Sequence, residues 1–311
     1  MNTLLERYTP SRSAARRAAA AALAPCLLMS ALAAAQPYAL PPAAVPPQGY
    51  AATAASADTV SAFVGSITQS PRFDRRFVAR WRAPLCFAVQ GLPAEEAGYV
   101  SGRLSQVAGW AGAPVAATGC DKGTYNFHVV FTLNADQAAK DWYARYRDLF
   151  DANATDSQVS AFLASRSPSA VRVWHSATLF RTDGTTVIPV DPGDPIEPIP
   201  DLYNTGSRLP SQAAVGLNFA LIIIDGTRAN GAGLAQLADY AAMAGLADLD
   251  LAANVSSVPT ILRLFNEPAE ARPSGLTAWD QTFLYALYHA DDGSRNLRAQ
   301  IVGAMTQNIA L

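Results

Sequence analysis

The residues of this chain that could carry chemistry are few and lie far apart in the sequence. Its three histidines are His128, His175 and His289, and no two of them have the one-turn helical spacing that marks many zinc sites. His128 and His175 lie in apolar, strand-like segments, as histidines of a core or a sheet edge do. His289 lies at the end of a predicted helix, where the helix dipole favours its charge. The sequence therefore predicts no metal site, no catalytic residue and no cofactor.

Two other patterns could suggest catalysis. Asp239, Asp248 and Asp250 could form an acidic cluster, although solvated carboxylates near a helix end are the commoner arrangement. The glycine-rich stretch at 226–233 lacks the lysine of a phosphate-binding loop, which favours a turn. The chain also has no Gly-x-Ser-x-Gly sequence to present a serine nucleophile.

The first 35 residues have the three parts of an export signal. Four arginines come before or at the start of an uncharged, alanine-rich run at 18–35, which ends in the small-residue cleavage pattern Ala33-Ala34-Ala35. We therefore expect cleavage before Gln36, a periplasmic or secreted mature protein, and no integral membrane span after cleavage. An uncleaved anchor is the alternative, because about 18 apolar residues is the lower limit for spanning a bilayer. A lipid anchor on Cys26 is a weaker one, because Pro25 precedes the cysteine.

The predicted mature chain is acidic and keeps two cysteines. Cleavage removes four arginines and one glutamate, which leaves 19 basic and 24 acidic residues and a net charge of −5. That charge argues against nucleic acid or an anionic membrane surface as a partner. Cys86 and Cys120 are predicted to form one disulfide in an oxidising compartment, and two buried free thiols are the alternative.

The mature chain divides into a tether and one predicted domain. Residues 36–58 are rich in proline and alanine, and such a segment cannot bury enough surface to fold. Residues 59–311 are predicted to form a single domain with an acidic, proline-rich loop at 189–201. A run of arginines near the start of this domain is predicted to form a solvated face; it consists of Arg72, Arg75, Arg76, Arg80 and Arg82.

Hydrophobic patterns predict an α/β (α+β) domain whose C-terminal third is helical. Short apolar runs indicate strands at 85–89, 126–133, 171–180 and 215–224. The last run is nearly all apolar and is expected at the centre of the sheet, with a layer on each face. An Asp-Gly turn at 182–185 predicts a hairpin into a strand at 186–190. Helical spacing predicts helices at 94–108, 134–149 and 157–165, and three more after residue 233.

The segment Ala238–Leu246 resembles the active-site helix of the zincin metalloproteases, H-E-x-x-H-x-L-G-L, and ends like it in Gly245-Leu246. In such a helix two histidines share a zinc ion and the glutamate between them activates water. Here both histidine positions are alanine, Ala238 and Ala242, and the glutamate position is Asp239. Alanine offers no ligand atom, so the resemblance transfers no zinc ligand to this chain.

Three further segments extend the resemblance. Leu276–Tyr288 is similar to the L-T-x-x-D-x-x-x-L-x-x-L-Y helix that follows the active-site helix in metzincin-type proteases. It is more similar still to that helix in a family of secreted bacterial proteins of unknown function whose zinc helix is also degenerate. Ile261–Asn266 and the basic-Trp-x-x-Pro pattern of Arg80–Pro84 are similar to segments of the same family. The resemblance implies a zincin-like mixed sheet with packed helices.

The resemblance also implies a function without catalysis. A zincin cleft binds an extended peptide along a sheet edge through main-chain hydrogen bonds, and this binding does not need zinc. We therefore expect an exported, non-catalytic, zincin-like protein that binds a protein or peptide in the cell envelope. One alternative is a peptidase-like hydrolase with an unrecognised site, to which Asp239 or the acids near Pro195 contribute. Another is a structural envelope component held by its tether.

Overall fold

The computed structural model describes residues 56–68, 78–121, 123–151, 156–164, 170–181, 213–229, 231–291 and 296–309. All of them belong to one compact unit, Tyr38–Leu311. The predicted signal peptide, the tether up to residue 55, the turn and second strand of the predicted hairpin, and the acidic loop at 189–201 lie outside the described residues. So do Arg72, Arg75 and Arg76.

Helices and strands are interspersed up to the last described strand, and only helices and 3-10 turns follow it. The helices are α1 Ala57–Ile67, α2 Ala94–Ala111, α3 Ala135–Arg145, α4 Arg147–Asp151, α5 Asp156–Leu163, α6 Leu234–Leu246, α7 Ala278–His289 and α8 Leu297–Ile309. The strands are β1 Arg80–Trp81, β2 Phe87–Gln90, β3 Phe127–Thr132, β4 Val171–Arg181 and β5 Ala213–Asp225. Single 3-10 turns at Ile261–Arg263 and Ala269–Ala271 lie between α6 and α7. No helix among these is long and apolar enough to cross a membrane.

The five described strands form one mixed sheet with β5 at its centre. Ile222 of β5 lies opposite Val129 of the parallel strand β3 on one side and opposite Val173 of the antiparallel strand β4 on the other. β2 continues the sheet beyond β3 in parallel, and β1 pairs with the beginning of β5. The predicted central strand and the predicted mixed α/β fold with a helical C-terminal third are both confirmed.

The alternation of side chains along β5 builds a hydrophobic core on each face of the sheet. Ala220, Ile222 and Ile224 belong to the larger core, which also contains residues of α1, α2, α6, α7 and α8. Phe219, Leu221 and Ile223 belong to a smaller core with α3, α4 and α5. A strand buried on both faces needs layers above and below it, so the apolar run at 215–224 has the environment that its sequence predicts.

The predicted helix at 134–149 is interrupted. α3 ends at Arg145, because Tyr146 takes non-helical backbone angles, φ −129° and ψ 45°. The chain then starts the short helix α4, whose Phe150 is almost fully buried. The ring centroid of Phe150 lies 4.8 Å from the ring centroid of Trp174 on β4. The break at Tyr146 thus lets one more aromatic side chain enter the smaller core.

Cys86 and Cys120 form a disulfide pair that joins the start of β2 to the loop before the neighbouring strand β3. Their Cα atoms are 5.7 Å apart, within the range of about 4.4–6.8 Å that a disulfide requires. Cys86 immediately precedes β2, and Cys120 lies in the loop that leads to β3. Because β2 and β3 are adjacent and parallel, the predicted pairing follows from the strand-helix-strand unit that contains it.

Candidate functional site

The segment that resembles a zinc-protease helix lies in the part of α6 that is buried on all sides. Every residue from Leu237 to Leu246 is buried, and Ala238 and Ala242 have no exposed surface. At Gly245 a Cβ atom would meet the ring of Phe127 at 2.2 Å, so α6 packs directly against β3. The two positions that hold zinc ligands in the helix it resembles are therefore filled positions of the core.

Asp239, at the position of the protease glutamate, is engaged in a buried ion pair. Arg103 of α2 donates from Nε to Asp239 Oδ1 at 2.5 Å and from Nη2 to Oδ2 at 3.1 Å. The two side chains are only 8% and 6% exposed. The main-chain N–H of Leu276 also donates to Asp239 Oδ2, at 2.9 Å. A general base must reach its substrate with a free oxygen, whereas both oxygens of Asp239 tie α6 to α2 and to the loop before α7.

The three acids that could have formed a cluster have separate partners. Asp248 Oδ1 lies 3.6 Å from His175 Nδ1. Asp250 accepts a hydrogen bond from the Ala252 N–H at 2.9 Å, while Asp239 is held by Arg103. Within the part of the chain that the structure describes, no three His, Cys, Asp or Glu side chains are grouped to hold a metal ion.

Each histidine likewise has an environment of its own. Burial lowers the pKa of His128, whose Nε2 lies 3.2 Å from the Tyr125 carbonyl oxygen. His175 Nε2 lies 3.4 Å from the Gly245 carbonyl oxygen at the end of α6. The ring of His289 stacks on Tyr285 with the centroids 3.7 Å apart. His128 and His175 thus occupy strand positions in the sheet, as their sequence context predicts.

Three of the segments that carry the zincin resemblance meet at the C-terminal end of α6. Trp81 Nε1 donates to the Gly245 carbonyl oxygen at 2.8 Å, and the Tyr288 hydroxyl donates to the Leu246 carbonyl oxygen at 2.6 Å. The last carbonyl groups of a helix have no donor within the helix and need hydrogen-bond donors from outside it. Side chains of β1 and α7 therefore close the end of α6.

Arg80 contradicts the prediction of a solvated arginine face. Its side chain is buried among the core elements, and the residue is only 7% exposed. Arg80 Nη1 donates to the main-chain oxygens of Leu287 and Ala290, where the negative end of the α7 dipole favours a cation. Burial lowers the pKa of Arg80 to about 10. The prediction is wrong for Arg80 because α7, distant in sequence, supplies its acceptors.

Asp280 joins the remaining segment of the resemblance to α7. Its carboxylate accepts hydrogen bonds from the Ile261 N–H at 2.7 Å, from the Thr277 N–H at 2.8 Å and from the Thr260 hydroxyl. Asp280 has no exposed surface, and burial raises its pKa to about 6 against the opposing effect of these hydrogen bonds. Asp280 therefore caps α7 and fixes the 3-10 turn at Ile261–Arg263 to the start of that helix.

β4 pairs with β5 along one side and with no other described strand. The Ala170 carbonyl oxygen accepts from the Asp225 N–H at 2.8 Å, which makes these two residues a hydrogen-bonded pair. In an antiparallel ladder, hydrogen-bonded pairs alternate with non-bonded pairs. The main-chain groups of Arg172 and Trp174, two and four residues after Ala170, therefore also bond to β5. The main-chain groups of Val173, between them, point away from β5, and those of His175 do the same. β5 is the one described strand that pairs with β4.

α6 and β4 are thus the two elements whose geometry bears on function. α6 keeps the positions that resemble a zinc site inside the core, whereas β4 directs main-chain donors and acceptors away from β5. Sequence reasoning identified the α6 positions but missed Arg103, although an arginine next to Leu104 in an otherwise apolar helix face is a signal for a buried carboxylate partner.

No profile of a known protein family matches this chain, and neither does any curated protein or solved structure.

Proposed function

We propose that this protein is an exported, non-catalytic, zincin-like protein that binds a protein or peptide partner in the cell envelope. The observation that carries the proposal is the Arg103–Asp239 ion pair, with bonds of 2.5 and 3.1 Å, beside the fully buried Ala238 and Ala242. A helix with a protease-like pattern is used here to hold the core together. Its hydrolytic groups are absent, and the space that they would need is occupied.

The outer edge of β4 supports the binding part of the proposal. β4 runs for 11 residues, and Val173 and His175 direct main-chain groups away from β5. An extended peptide can add to such an edge as a further strand, with main-chain hydrogen bonds for affinity and side-chain contacts for specificity. Neither contribution requires a metal ion.

Charge and cysteine pairing support the proposed class of partner and compartment. The predicted mature chain carries a net charge of −5, which repels the phosphates of nucleic acids. The Cys86–Cys120 pair is of the kind that persists in oxidising compartments. A protein or peptide partner outside the cytoplasm is consistent with both properties.

A hydrolase is the second candidate, and the position of His175 beside Asp248 is what favours it, because a base held by a carboxylate is a recurrent catalytic arrangement. The distance between His175 Nδ1 and Asp248 Oδ1 is 3.6 Å. However, His175 Nε2, which would face the substrate in such an arrangement, lies 3.4 Å from the Gly245 carbonyl oxygen. Because Nε2 lies close to a main-chain oxygen, the geometry of His175 supports catalysis less well than the outer side of β4 supports peptide binding.

Three measurements on the purified mature protein separate these functions. We expect no stoichiometric zinc by elemental analysis, no change of melting temperature with chelator, and no turnover in a peptide-hydrolysis screen. Near-stoichiometric zinc that is lost in His128→Ala or His175→Ala, or turnover that is lost in His175→Ala, would contradict the proposal. A pull-down from envelope extract then separates a binding protein, which captures a partner saturably, from a purely structural component.

A further inference from the structure

His128 lies between the sheet and α3, on the side of the sheet opposite α6. Its ring centroid is 5.0 Å from that of Trp142 on α3 and 5.5 Å from that of Phe219 on β5. The ring of Tyr146 packs on Trp142 in turn, with the centroids 5.0 Å apart. The imidazole thus belongs to the aromatic contact that holds the C-terminal half of α3 on the sheet.

The two ring nitrogens of His128 differ in their surroundings. Nε2 lies 3.2 Å from the Tyr125 carbonyl oxygen, which is an acceptor only, so Nε2 carries the hydrogen. Nδ1 is buried and has no hydrogen-bond partner among the described residues. In the neutral ring Nδ1 presents a lone pair to the aromatic cluster, whereas protonation would place an N–H there. A buried donor without an acceptor costs about 1–3 kcal/mol, more if it is charged.

The charged groups around α3 are directed elsewhere. β5 faces His128 with Phe219, α3 faces it with Trp142, and the loop before β3 contributes the Tyr125 carbonyl. Burial lowers the pKa of His128 and the Tyr125 carbonyl opposes this effect; no charged group contributes. Lys140 and Asp141 of α3 are exposed, and the carboxylate of Asp136, at the other end of α3, bonds to two arginines, Arg172 and Arg228.

We propose that His128 is an acid-sensitive contact whose protonation loosens the C-terminal half of α3 from the sheet. The ion pairs of Asp136 hold the N-terminal end of α3, so loosening is confined to the part around Trp142. Because the pKa is lowered in the folded state, the contribution of His128 to stability is present above the ordinary pKa of about 6.5. It decreases as the pH falls through that value. This device is independent of the proposed binding at β4 and of any metal site.

The test is hydrogen exchange resolved to α3 and α2, with protection corrected for the intrinsic effect of pH, together with an NMR titration of the three histidines. We expect α3 protection to fall relative to α2 between pH 7.5 and 5, by up to about tenfold for each unit by which the pKa is lowered. In His128→Phe the relative protection of α3 should become independent of pH. His289→Gln, which changes an exposed histidine on the other side of the sheet, should behave like the wild type.

Two outcomes would overturn the proposal. One is α3 protection that follows α2 at every pH in the wild type, or that keeps its pH dependence in His128→Phe. The other is an NMR titration of the wild-type protein that gives His128 a pKa of about 6.5 or higher. The titration needs no variant, so the proposal remains testable even if His128→Phe does not fold.

Discussion

The guanidinium group of Arg103 donates to both carboxylate oxygens of Asp239, from Nε at 2.5 Å and from Nη2 at 3.1 Å. A bidentate pair of this kind fixes orientation as well as distance. It joins the middle of α2 to the middle of α6, and the Leu276 N–H adds the segment before α7. At Gly275 a Cβ atom would lie 2.5 Å from Asp239 Oδ2, so a glycine is needed for this close approach.

Removal of one partner of this pair should be strongly destabilising. Asp239→Ala leaves the Arg103 charge buried without a carboxylate, and we expect the free energy of unfolding to fall by about 3–5 kcal/mol. Urea denaturation measures the change. In the double variant Arg103→Met/Asp239→Leu both charges are absent, and most of the loss should be recovered. A loss below about 1 kcal/mol in Asp239→Ala, which is typical of exposed pairs, would contradict the role assigned to Asp239.

Introduction of the complete zinc-protease pattern into α6 should not create a zinc site. The variant Ala238→His/Asp239→Glu/Ala242→His inserts two imidazole rings at positions with no exposed surface and lengthens the partner of Arg103. Overpacking of a core typically costs about 1–3 kcal/mol per site, so we expect a lower melting temperature and no bound zinc. Ala235→His, in the exposed first turn of the same helix, is the control and should remain stable. A well-folded triple variant with one zinc ion per chain would contradict this account of α6.

The Cys86–Cys120 bond should contribute a large part of the total stability. The two residues are 34 positions apart, and closure of a loop of that size is worth roughly 3–4 kcal/mol in the chain-entropy description. Cys120→Ala should lower the urea midpoint clearly, and reductant should do the same to the wild type but not to the variant. Detection of two reactive thiols in the unfolded, unreduced protein would show that the bond is not formed.

Asp136 should contribute stability that disappears in acid. Its hydrogen bond from Arg228, together with Arg172, lowers the pKa of Asp136 to about 2, below the ordinary value of about 3.9. A carboxylate with a lowered pKa stabilises the folded state above its unfolded pKa, and this contribution is lost as the pH falls from about 4 to 2. Urea denaturation should show a stability difference between wild type and Asp136→Asn that is constant from pH 6 to 8 and shrinks below pH 4. A difference that is unchanged at pH 2.5 would refute this role.

Local sequence patterns predicted those elements whose burial follows from the spacing of their own apolar residues. Leu297, Ile301, Met305 and Ile309 repeat at helical intervals, and all four are buried along one side of α8. The apolar run of β5 predicted a packed layer on each face of the sheet, and a hydrophobic core lies on each face. Cys86 and Cys120 could be paired because a strand-helix-strand unit brings the beginnings of its two strands together.

Tertiary partners explain what the sequence did not predict. The acceptors of Arg80 lie more than 200 residues away at the C-terminal end of α7, and the partner of Arg103 lies 136 residues away on α6. For α6, a pattern with one apolar face gave no reason to expect burial all round; small alanine side chains allow neighbours to approach on every side. The strand observed beside β4 is β5, whereas the predicted hairpin partner at 186–190 lies outside the described residues.

The outer edge of β4 provides the most direct test of the proposed binding. Val173→Pro removes a main-chain N–H that points away from β5, and proline is tolerated at such an edge position because the bonds to β5 are kept. Val173→Thr is the matched control, with a branched side chain of similar size and an intact N–H. Pull-downs from envelope extract should show a partner bound equally by wild type and Val173→Thr and lost, or weakened at least about tenfold, with Val173→Pro, as for a loss of about 1.4 kcal/mol. Equal capture of that partner by folded Val173→Pro would contradict binding along β4.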